Sequence, residues 1–346
     1  MSTPRVLITG GCGYFGSLLA EKLRERDEAC RLFDIVEPDL APSEGEFVQG
    51  DVRDPAAVRA ACTGIEVLYH CVAQVPLARD RELFESVNVG GTRHTLEAAH
   101  AAGVRKVVLL SSSAVFGRPP HNPVTEDTPL QPLEAYGRTK LDAETLAHRF
   151  HREHGLDISI IRPRTILGHG RLGIFQLLFD WIAEGRNAYV LGTGDNVYQF
   201  VHAEDLAEAS ILSAEREGFA VYNIGGREPC TMRQSLEGLT RHAETGSRVK
   251  SLPRGPAVLG MSALSKLHLA PFAAYHWLMY AESLYFDGTK ARRELGFEPS
   301  WSNVAMLCQS YDWYLAHRDT LRESDERSAH RSPVSQGVLR ALRWLS

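Results

Sequence analysis

The chain has 346 residues, which is enough for one large domain or two closely packed ones. Hydrophobic residues make up 44% of it and charged residues 23%, proportions that are typical of a globular protein and exclude collagen-like, disordered and disulfide-scaffold chains. The formal net charge of -5 lacks the basic excess of nucleic-acid-binding proteins, so we expect no nucleic acid partner.

The six cysteines are scattered, with no Cys-x-x-Cys pair and no histidine spaced to complete a zinc site. We therefore expect no metal site and a reducing, cytoplasmic setting. A strand-like run begins at Arg5 without a charged and apolar leader before it, so we expect no signal peptide. No run of about 18 apolar residues occurs, so we expect no membrane span.

Short runs rich in leucine and β-branched residues alternate with longer helical patterns through the first half of the chain. The predicted strands are Val6–Thr9, Cys30–Asp34, Phe47–Gln49, Val67–His70, Lys106–Leu110 and Ile158–Ile161. The predicted helices are Tyr14–Asp27, Glu82–Ala102 and Glu134–His154. Strands separated by helices form β-α-β units with a parallel sheet covered on both faces, so we predict a doubly wound α/β fold. After about Gly168 the alternation loosens into aromatic, loop-rich sequence, which indicates a second, smaller substrate-binding lobe.

A glycine-rich turn follows the first predicted strand. Its glycines permit a tight turn, let backbone amides approach a pyrophosphate and allow the next helix to pack closely. A carboxylate at the end of the second strand is placed to accept both hydroxyls of a ribose. The predicted dinucleotide-binding residues of this region are Gly10, Gly13, Tyr14, Phe15, Gly16 and Asp34.

Asp34 also bears on which dinucleotide binds. Its carboxylate repels a 2′-phosphate, and Ile35-Val36 supply no arginine to neutralise one, which favours NAD over NADP without excluding NADP. Asp51 and Val52 follow the third strand. They are predicted either to reach the adenine or, for Asp51, to cap the helix predicted over Asp54–Cys62, and spacing alone leaves both open.

A second cluster carries acid–base chemistry. Tyr136 and Lys140 are four residues apart on one helical face, where the ammonium is expected to lower the phenol pKa from about 10 towards neutrality. The strand before this helix ends in three serines, Ser111, Ser112 and Ser113, at the sheet edge where α/β proteins bind ligands.

These motifs together resemble the extended short-chain dehydrogenases/reductases, the superfamily of nucleotide-sugar epimerases, dehydratases and 3β-hydroxysteroid dehydrogenases. The resemblance extends from Val6 to about Pro299. It includes Asp51-Val52, His70-Cys71-Val72-Ala73, Asn88-Val89-Gly90-Gly91-Thr92, the strand end Ser111–Gly117 and Arg162-Pro163, besides the glycine turn and Tyr136-x-x-x-Lys140.

The resemblance implies roles for single residues. Tyr136 is the expected acid/base, Lys140 its pKa modifier and nicotinamide-ribose ligand, and Ser112 the hydroxyl that polarises the reacting oxygen, with Ser111 and Ser113 as alternatives. Further expected NAD contacts are Val52, Ala73, Asn88 and Pro163. It also implies a homodimer, a Rossmann domain over 1–166 and about 199–225, and a substrate-binding lobe over about 167–198 and 226–320.

Positions at which this sequence differs from the dehydratases and the sugar-nucleotide enzymes indicate its branch within the superfamily. The acidic pair of the dehydratases is replaced by Ser113-Ala114, which disfavours dehydration. The residues that hold the substrate pyrophosphate in sugar-nucleotide enzymes align with Thr165, Tyr198 and the neighbourhood of Trp277, although Arg164 or Arg171 remains an alternative anion partner. Losing a bidentate guanidinium removes a contact worth about 1.5–3 kcal/mol, so a diphosphate is disfavoured. The predicted substrate contacts are Ser113, Thr165, Tyr198 and Trp277.

Two further segments favour a lipid-like substrate. The range 255–285 is strongly apolar and is interpreted either as core packing or as a hydrophobic mouth. The tail, residues 321–346, has basic and apolar residues at helical spacing, which suits peripheral contact with the inner face of a membrane. A frayed tail or a subunit contact explains the tail equally well.

The sequence therefore predicts an NAD(P)-dependent oxidoreductase that interconverts a ketone and a secondary alcohol on a bulky apolar substrate. The candidates are a 3-oxo sphingoid or ceramide lipid and a sterol-like compound, because the closest resemblance is to the 3β-hydroxysteroid dehydrogenase and bacterial ceramide reductase branch. The alternative is a nucleotide-sugar 4-epimerase with tightly bound NAD. A non-catalytic NAD-binding scaffold is disfavoured, since a pure binder has no need of Tyr136.

Overall fold

The computed structural model describes residues 5–38, 46–74, 81–172, 175–253, 255 and 282–323. The chain divides into two compact units. The first takes its described residues from Met1–Arg164, Ala203–Gly225 and Phe286–Glu298, and the second from Thr165–His202, Gly226–Tyr285 and Pro299–Ser346. The sequence-based division placed 286–298 in the substrate lobe, whereas their contacts place them in the first unit. The assignment of one unit to a dinucleotide and the other to a substrate remains a prediction.

The strands of the described residues are short. They are β1 (Val6–Thr9), β2 (Cys30–Asp34), β3 (Glu46–Gln49), β4 (Val67–His70), β5 (Lys106–Leu110), β6 (Ile158–Pro163), β7 (Thr165–Leu167), β8 (Ala188–Leu191), β9 (Val197–Tyr198), β10 (Phe200–His202), β11 (Ala220–Ile224), β12 (Cys230–Thr231) and β13 (Val249–Leu252).

The helices alternate with these strands. They are α1 (Tyr14–Arg24), α2 (Pro55–Ala61), α3 (Arg81–Phe84), a π-helix (Glu85–Gly91), α4 (Thr92–Ala101), a 3-10 helix (Ser113–Phe116), α5 (Ala135–His154), α6 (Phe175–Ala183), α7 (Ala203–Glu215), α8 (Met232–Ala243), α9 (Thr289–Leu295) and α10 (Asn303–Glu323).

The first unit is built on a parallel sheet. Among the described residues it has seven strands in the order β11-β6-β5-β4-β1-β2-β3. The strand order reverses beside β1, so the carboxyl ends of β1, β2, β4, β5 and β6 meet at the edge where doubly wound proteins bind ligands. This confirms the predicted fold class, and the sheet places the glycine turn and the serine-ended strand at one edge.

Helix ends in the first unit follow local capping rules. Asp54 accepts hydrogen bonds from the amides of Ala56 and Ala57 and caps α2, with Pro55 at its first position. The interpretation of Asp51 as the cap of this helix is therefore wrong, because the capping side chain is three residues later. Helix α5 begins at Glu134, which caps it, and ends at Gly155, whose φ of +68° is the left-handed conformation that glycine adopts readily.

One buried cluster covers a face of this sheet. It joins strand residues such as Leu7, Leu68 and Val107 to helix residues such as Leu96 and Phe150. Near-complete burial of these apolar side chains supplies the main driving force for assembling the unit. The strands that end at this edge are thus anchored by a dry core along that face.

The second unit has its own core and small strand pairs. Within its described part, β7 pairs with β10, β8 with β13 and β9 with β12. Helix α10 packs on α8 and α6, and aromatic residues such as Phe179, Phe200 and Tyr311 lie in the cluster between them. The prediction of loop-rich sequence after Gly168 is therefore wrong for 175–253, where helices and strands predominate. The strands of the second unit have two to four residues, too few to show a period.

Some sequence-based predictions fall outside the described residues. Trp277, residues 256–281 of the apolar segment and residues 324–346 of the tail are among these. Within the described ranges, none of the helices combines the length and apolar composition that crossing a bilayer needs.

Candidate functional site

The glycine turn after β1 is shaped by backbone geometry. Gly10 has a φ of +73° and its amide donates to the Phe33 carbonyl at 2.8 Å. A side chain at Gly16 would overlap the Gly10 carbonyl oxygen, so α1 reaches the turn this closely only because residue 16 is glycine. The three predicted glycines therefore form one close-packed turn.

The start of α1 fits an anion. Gly13 is its N-cap and makes no side-chain capping bond, and the first turn of α1 carries no acidic residue. The amides at such a helix start, with the positive end of the helix dipole, suit a pyrophosphate. Tyr14 and Phe15 are the first two residues of this helix.

Asp34 lies beside the turn at the end of β2. Its Oδ2 accepts from the Cys12 amide at 3.0 Å and its Oδ1 from the Val36 amide at 3.3 Å. The following Ile35 and Val36 are exposed, at 60% and 56%. A carboxylate at this position, next to open apolar side chains, fits the ribose and adenine of NAD, which agrees with the glycine turn.

Asp51 is engaged in a local ion pair. Its carboxylate accepts from the Arg53 amide at 2.8 Å and from the Arg53 guanidinium, which holds the pKa of Asp51 below its usual value. Val52 is buried, and a side chain at Gly91 would meet it at 2.7 Å. The adenine contact of Asp51 and Val52 remains a prediction.

The three serines after β5 have different partners. Ser111 donates to Glu144, and Ser113 accepts from Nη1 of Arg164 at 2.9 Å; both serines are buried. Ser112 is half-buried, and its Oγ accepts from the Ala114 amide at 3.1 Å as the cap of the 3-10 helix. Ser111 uses its proton on Glu144, whereas Ser112 and Ser113 each accept a bond and keep their protons. Ser113 is buried against Arg164 and Ser112 is half-buried, so Ser112 is the more accessible hydroxyl for holding a reacting oxygen.

Tyr136 lies in the first turn of α5. The Glu134 carboxylate accepts from the amides of Tyr136 and Gly137 at 2.7 Å each. Gly137 allows this turn to approach the serine-bearing loop, because a side chain there would meet the Ala114 carbonyl oxygen at 2.6 Å. The cap and the glycine together hold the tyrosine's helix start beside the residues that follow Ser112.

Lys140 lies one turn further along α5 and is buried. Its ammonium donates to the Leu110 carbonyl at 2.7 Å, next to the three serines. Burial lowers the pKa of Lys140 to about 8, opposed by the nearby Cys71 and by the negative charge of Glu144. The group is therefore cationic at neutral pH and near its titration point.

A buried ion pair joins Glu144, four residues after Lys140 on α5, to Arg162 of β6. Arg162 donates to the Glu144 carboxylate through Nη2 at 2.6 Å and Nε at 2.9 Å, and the two side chains are 3% and 1% exposed. Ser111 donates to the same carboxylate. Sequence analysis identified Arg162 only through the Arg162-Pro163 motif and missed Glu144, whose available signal was its spacing four residues after Lys140.

Asn88 lies in the π-helix and is fully engaged by protein groups. Its Oδ1 accepts from the Gln74 amide at 2.7 Å, and its Nδ2 donates to the Gln74 carbonyl and to Thr139, each at 3.1 Å. Both amide hydrogens are thus occupied. Ala73 precedes the residue that Asn88 holds, and Pro163 ends β6. Contacts of these three residues with NAD remain predictions.

Two of the predicted substrate residues meet in the second unit. The hydroxyls of Thr165 and Tyr198 lie 2.7 Å apart. The two arginines considered as alternative anion partners bond to protein groups: Arg164 donates to Ser113, and Arg171 donates to the Ile166 carbonyl at 3.1 Å.

Comparisons with known proteins agree with this geometry. The chain is 48% identical to the uncharacterized protein y4nG of Sinorhizobium fredii, over 97% of this chain and 85% of that protein. It is 30% identical to a 3β-hydroxysteroid dehydrogenase/Δ5→4-isomerase of Mycobacterium tuberculosis, over 90% of each chain. It is 28% identical to a UDP-glucose 4-epimerase of Streptomyces lividans, over 90% of this chain and 96% of that enzyme.

A solved structure and a family model complete the comparison. The structure of MoeE5 in complex with UDP-glucose and NAD matches with a TM-score of 0.72 and 25% identity, over 91% of this chain and 99% of that one. The model of the NAD dependent epimerase/dehydratase family matches residues 6–225, which span the glycine turn, the serine-ended strand, Tyr136 and Lys140. The chain therefore belongs to the NAD-dependent epimerase/dehydratase family, as its motifs indicated.

Proposed function

We propose that this protein is an NAD-dependent oxidoreductase that interconverts a ketone and a secondary alcohol on a bulky, largely apolar substrate. Tyr136 is the proposed acid/base, Ser112 the hydroxyl that holds the reacting oxygen, and Lys140 the cation that supports the tyrosine. The observation that carries the catalytic assignment is the difference among the serines: Ser111 donates its proton to Glu144, Ser113 is buried against Arg164, and half-buried Ser112 retains a proton to donate.

The chain's own residues supply the proton chemistry. NAD(H), when bound, takes or gives the hydride. In reduction, Ser112 donates a hydrogen bond to the carbonyl oxygen and stabilises the negative charge that develops on it, while Tyr136 donates its phenolic proton to that oxygen. Lys140, cationic and buried, stabilises the phenolate that remains. Oxidation is the reverse of these steps.

The cofactor assignment is supported by the turn and by Asp34. A helix start without a side-chain cap fits the pyrophosphate, and a carboxylate at the end of β2 fits an unphosphorylated ribose. Asp34 therefore favours NAD, with NADP as the weaker alternative.

The substrate class is supported by what the second unit presents. Thr165 and Tyr198 align with two residues that hold the pyrophosphate in sugar-nucleotide enzymes, and here they are neutral hydroxyls bonded to each other. A pair of hydroxyls gives a diphosphate no opposite charge, whereas it suits the rim of an apolar substrate site. A sterol-like compound and a 3-oxo sphingoid or ceramide lipid are the proposed substrates.

The second candidate function is a nucleotide-sugar 4-epimerase. It is favoured by the similarity to a named UDP-glucose 4-epimerase, which is only slightly below the similarity to the steroid enzyme. Stoichiometric NAD that remains bound through gel filtration would favour this candidate, because an epimerase regenerates its cofactor in each turnover.

The test is a comparison of total lipids by mass spectrometry in cells that carry the wild type, Tyr136→Phe or no gene. We expect a keto-lipid two hydrogens lighter than its partner to accumulate without the gene and with Tyr136→Phe, since removing the acid lowers turnover by about 100-fold or more. Tyr222→Phe is the matched control, because its hydroxyl bonds to Glu294 on α9. An unchanged lipid profile with altered nucleotide-sugar pools would contradict the proposal and favour the epimerase.

A further inference from the structure

A buried chain of hydrogen bonds connects the glycine-turn strand with the helix of the catalytic tyrosine. At one end, Thr9 of β1 and His70 of β4 meet through Oγ1 and Nδ1 at 2.7 Å. His70 Nε2 lies 3.0 Å from the Thr92 hydroxyl at the start of α4. All three side chains are at most 2% exposed, so their bonds are shielded from water.

The direction of each bond follows from the number of hydrogens. The Thr92 hydroxyl donates its one hydrogen to the Asn88 carbonyl at 2.7 Å, so it accepts from His70. His70 therefore carries its hydrogen on Nε2, and Nδ1 accepts from Thr9. Burial lowers the pKa of His70 to about 3, with the Lys140 charge acting in the same direction, which agrees with a neutral ring.

The chain continues from Asn88 to the tyrosine's helix. Nδ2 of Asn88 donates to the Thr139 hydroxyl, which in turn donates to the Tyr136 carbonyl at 2.9 Å. Asn88 belongs to the π-helix Glu85–Gly91, and such an irregular turn inside a helix frequently marks a functional position. Thr92 therefore holds the backbone of Asn88, and the side chain of Asn88 holds Thr139.

We propose that Thr139, held by Asn88 and through it by His70, is a positioning residue that fixes the first turn of α5 relative to the strand that carries the glycine turn. The inference rests on the proposed role of Tyr136. Proton transfer between a phenol and a substrate oxygen tolerates little displacement, because an error of about 1 Å costs about 100-fold in rate. Asn88 then serves the site by anchoring Thr139, since both of its amide hydrogens are used inside the protein.

The test replaces the hydroxyl of Thr139 in the NAD-loaded protein. Tyrosine labelled with carbon-13 at Cζ reports the phenol pKa of Tyr136 by NMR, with the resonance assigned by its loss in Tyr136→Phe. We expect Thr139→Val to shift this pKa by about half a unit or more, because a small displacement changes the separation from Lys140. Thr139→Ser keeps the hydroxyl and restores the wild-type titration. The Kd for NAD stays within about twofold in Thr139→Val and Thr139→Ser, since residue 139 lies on α5 and not in the glycine turn.

Two further variants test whether the shift comes from the Thr139 bond or from a general loss of packing in the first unit. Thr95→Val makes the same change at a buried threonine of α4 whose hydroxyl donates only to the Gly91 carbonyl, and it leaves the Tyr136 titration unchanged. Asn88→Leu removes the donor to Thr139, together with the bonds to Gln74, without placing a charge near Tyr136, and it reproduces the Thr139→Val shift. A wild-type titration in Thr139→Val, or an equal shift in Thr95→Val, overturns the proposal. Turnover retained by Tyr136→Phe would instead overturn the proposed function.

Discussion

The glycine turn after β1 and the cluster after β5 lie at the same edge of one sheet, yet they are built from different groups. The turn depends on backbone amides and on side chains that are absent, as at Gly10 and Gly16. The cluster depends on buried charges, with Lys140, Glu144 and Arg162 each no more than 4% exposed. The first region should therefore fail when atoms are added, and the second when charges are removed.

The two regions therefore also differ in how much they cost the free energy of folding. A backbone cradle adds little cost to the folded state, because its amides are solvated at a helix end until a ligand arrives. Buried charges are costly unless each is paired and hydrogen-bonded. The cluster is thus the part of the edge where function and stability are expected to oppose each other.

The largest effect is expected where a buried charge loses its partner. Glu144→Ala leaves Arg162 buried without a carboxylate, which is expected to lower the free energy of unfolding by about 3–5 kcal/mol. Chemical denaturation measures the loss. The control is Glu298→Ala, which breaks an exposed pair with Arg292 and is expected to change stability little. Equal losses in the two variants would contradict the special cost of the buried pair.

The next effect tests the glycine turn. Gly16→Ala places a methyl group against the Gly10 carbonyl, so the turn must open and the Kd for NAD is expected to rise about 100-fold. Isothermal calorimetry measures the affinity. Gly288→Ala adds the same methyl group in open space at the start of α9 and is expected to leave the Kd unchanged. Tight NAD binding by Gly16→Ala would show that this region tolerates added atoms.

A smaller effect, of opposite sign, is expected at Lys140. Burial lowers the pKa of Lys140 to about 8. The lysine charge therefore destabilises the folded state at every pH at which the lysine is protonated in both the folded and the unfolded chain. Lys140→Met is therefore expected to raise the free energy of unfolding by about 1–3 kcal/mol at pH 7 while abolishing turnover.

The pH dependence of that gain checks its cause. The unfolded chain keeps its lysine proton up to a pKa of about 10.4, whereas the folded chain loses it from about 8. The advantage of Lys140→Met is thus full below pH 8 and declines as the pH rises towards 10.4, as denaturation at several pH values would show. An advantage independent of pH would assign the gain to packing instead.

The smallest effect is expected at Asp34, the carboxylate beside the glycine turn. Asp34→Asn keeps an oxygen for the Cys12 amide and removes the charge, so NAD is expected to bind about tenfold more weakly and NADP more tightly than before. Fluorescence titration with each dinucleotide measures both. Asp54→Asn, a helix cap, is the matched control with no change expected. An unchanged ratio of the two affinities would remove Asp34 from cofactor selection.

The same difference explains how much could be predicted from the sequence. The bounds of β1, β2, β4 and β5 were predicted as observed, because short apolar runs end at glycine or polar residues there. The glycine turn was predictable because its geometry depends on spacing alone. The sequence also predicted that Tyr136 and Lys140 lie on one helix about one turn apart, and both lie on α5.

Other parts of the site depend on contacts between distant residues. Glu144 and Arg162 are 18 positions apart, and nothing local in either segment indicates that they meet. The predicted helix Glu82–Ala102 contains a π-helix in its middle, where Asn88 holds Gln74 through both backbone groups. Helical periodicity does not show such a distortion, because the partner that stabilises it lies on another element.

Two segments of the first unit, Ala203–Gly225 and Phe286–Glu298, come late in the chain, which has a consequence for folding during translation. Strand β11 completes the sheet beside β6, and α9 then packs on β11 and α7, where Tyr222 donates to Glu294 at 3.0 Å. Because translation begins at the N-terminus, β6 is an unpaired edge strand until residues 220–224 have emerged from the ribosome. Strand β11 in turn lacks the helix that packs on it until residues 289–295 have emerged. Ser112, Tyr136 and Lys140 are thus translated long before the sheet beside them is complete, and nascent chains arrested before residue 289 should require chaperones.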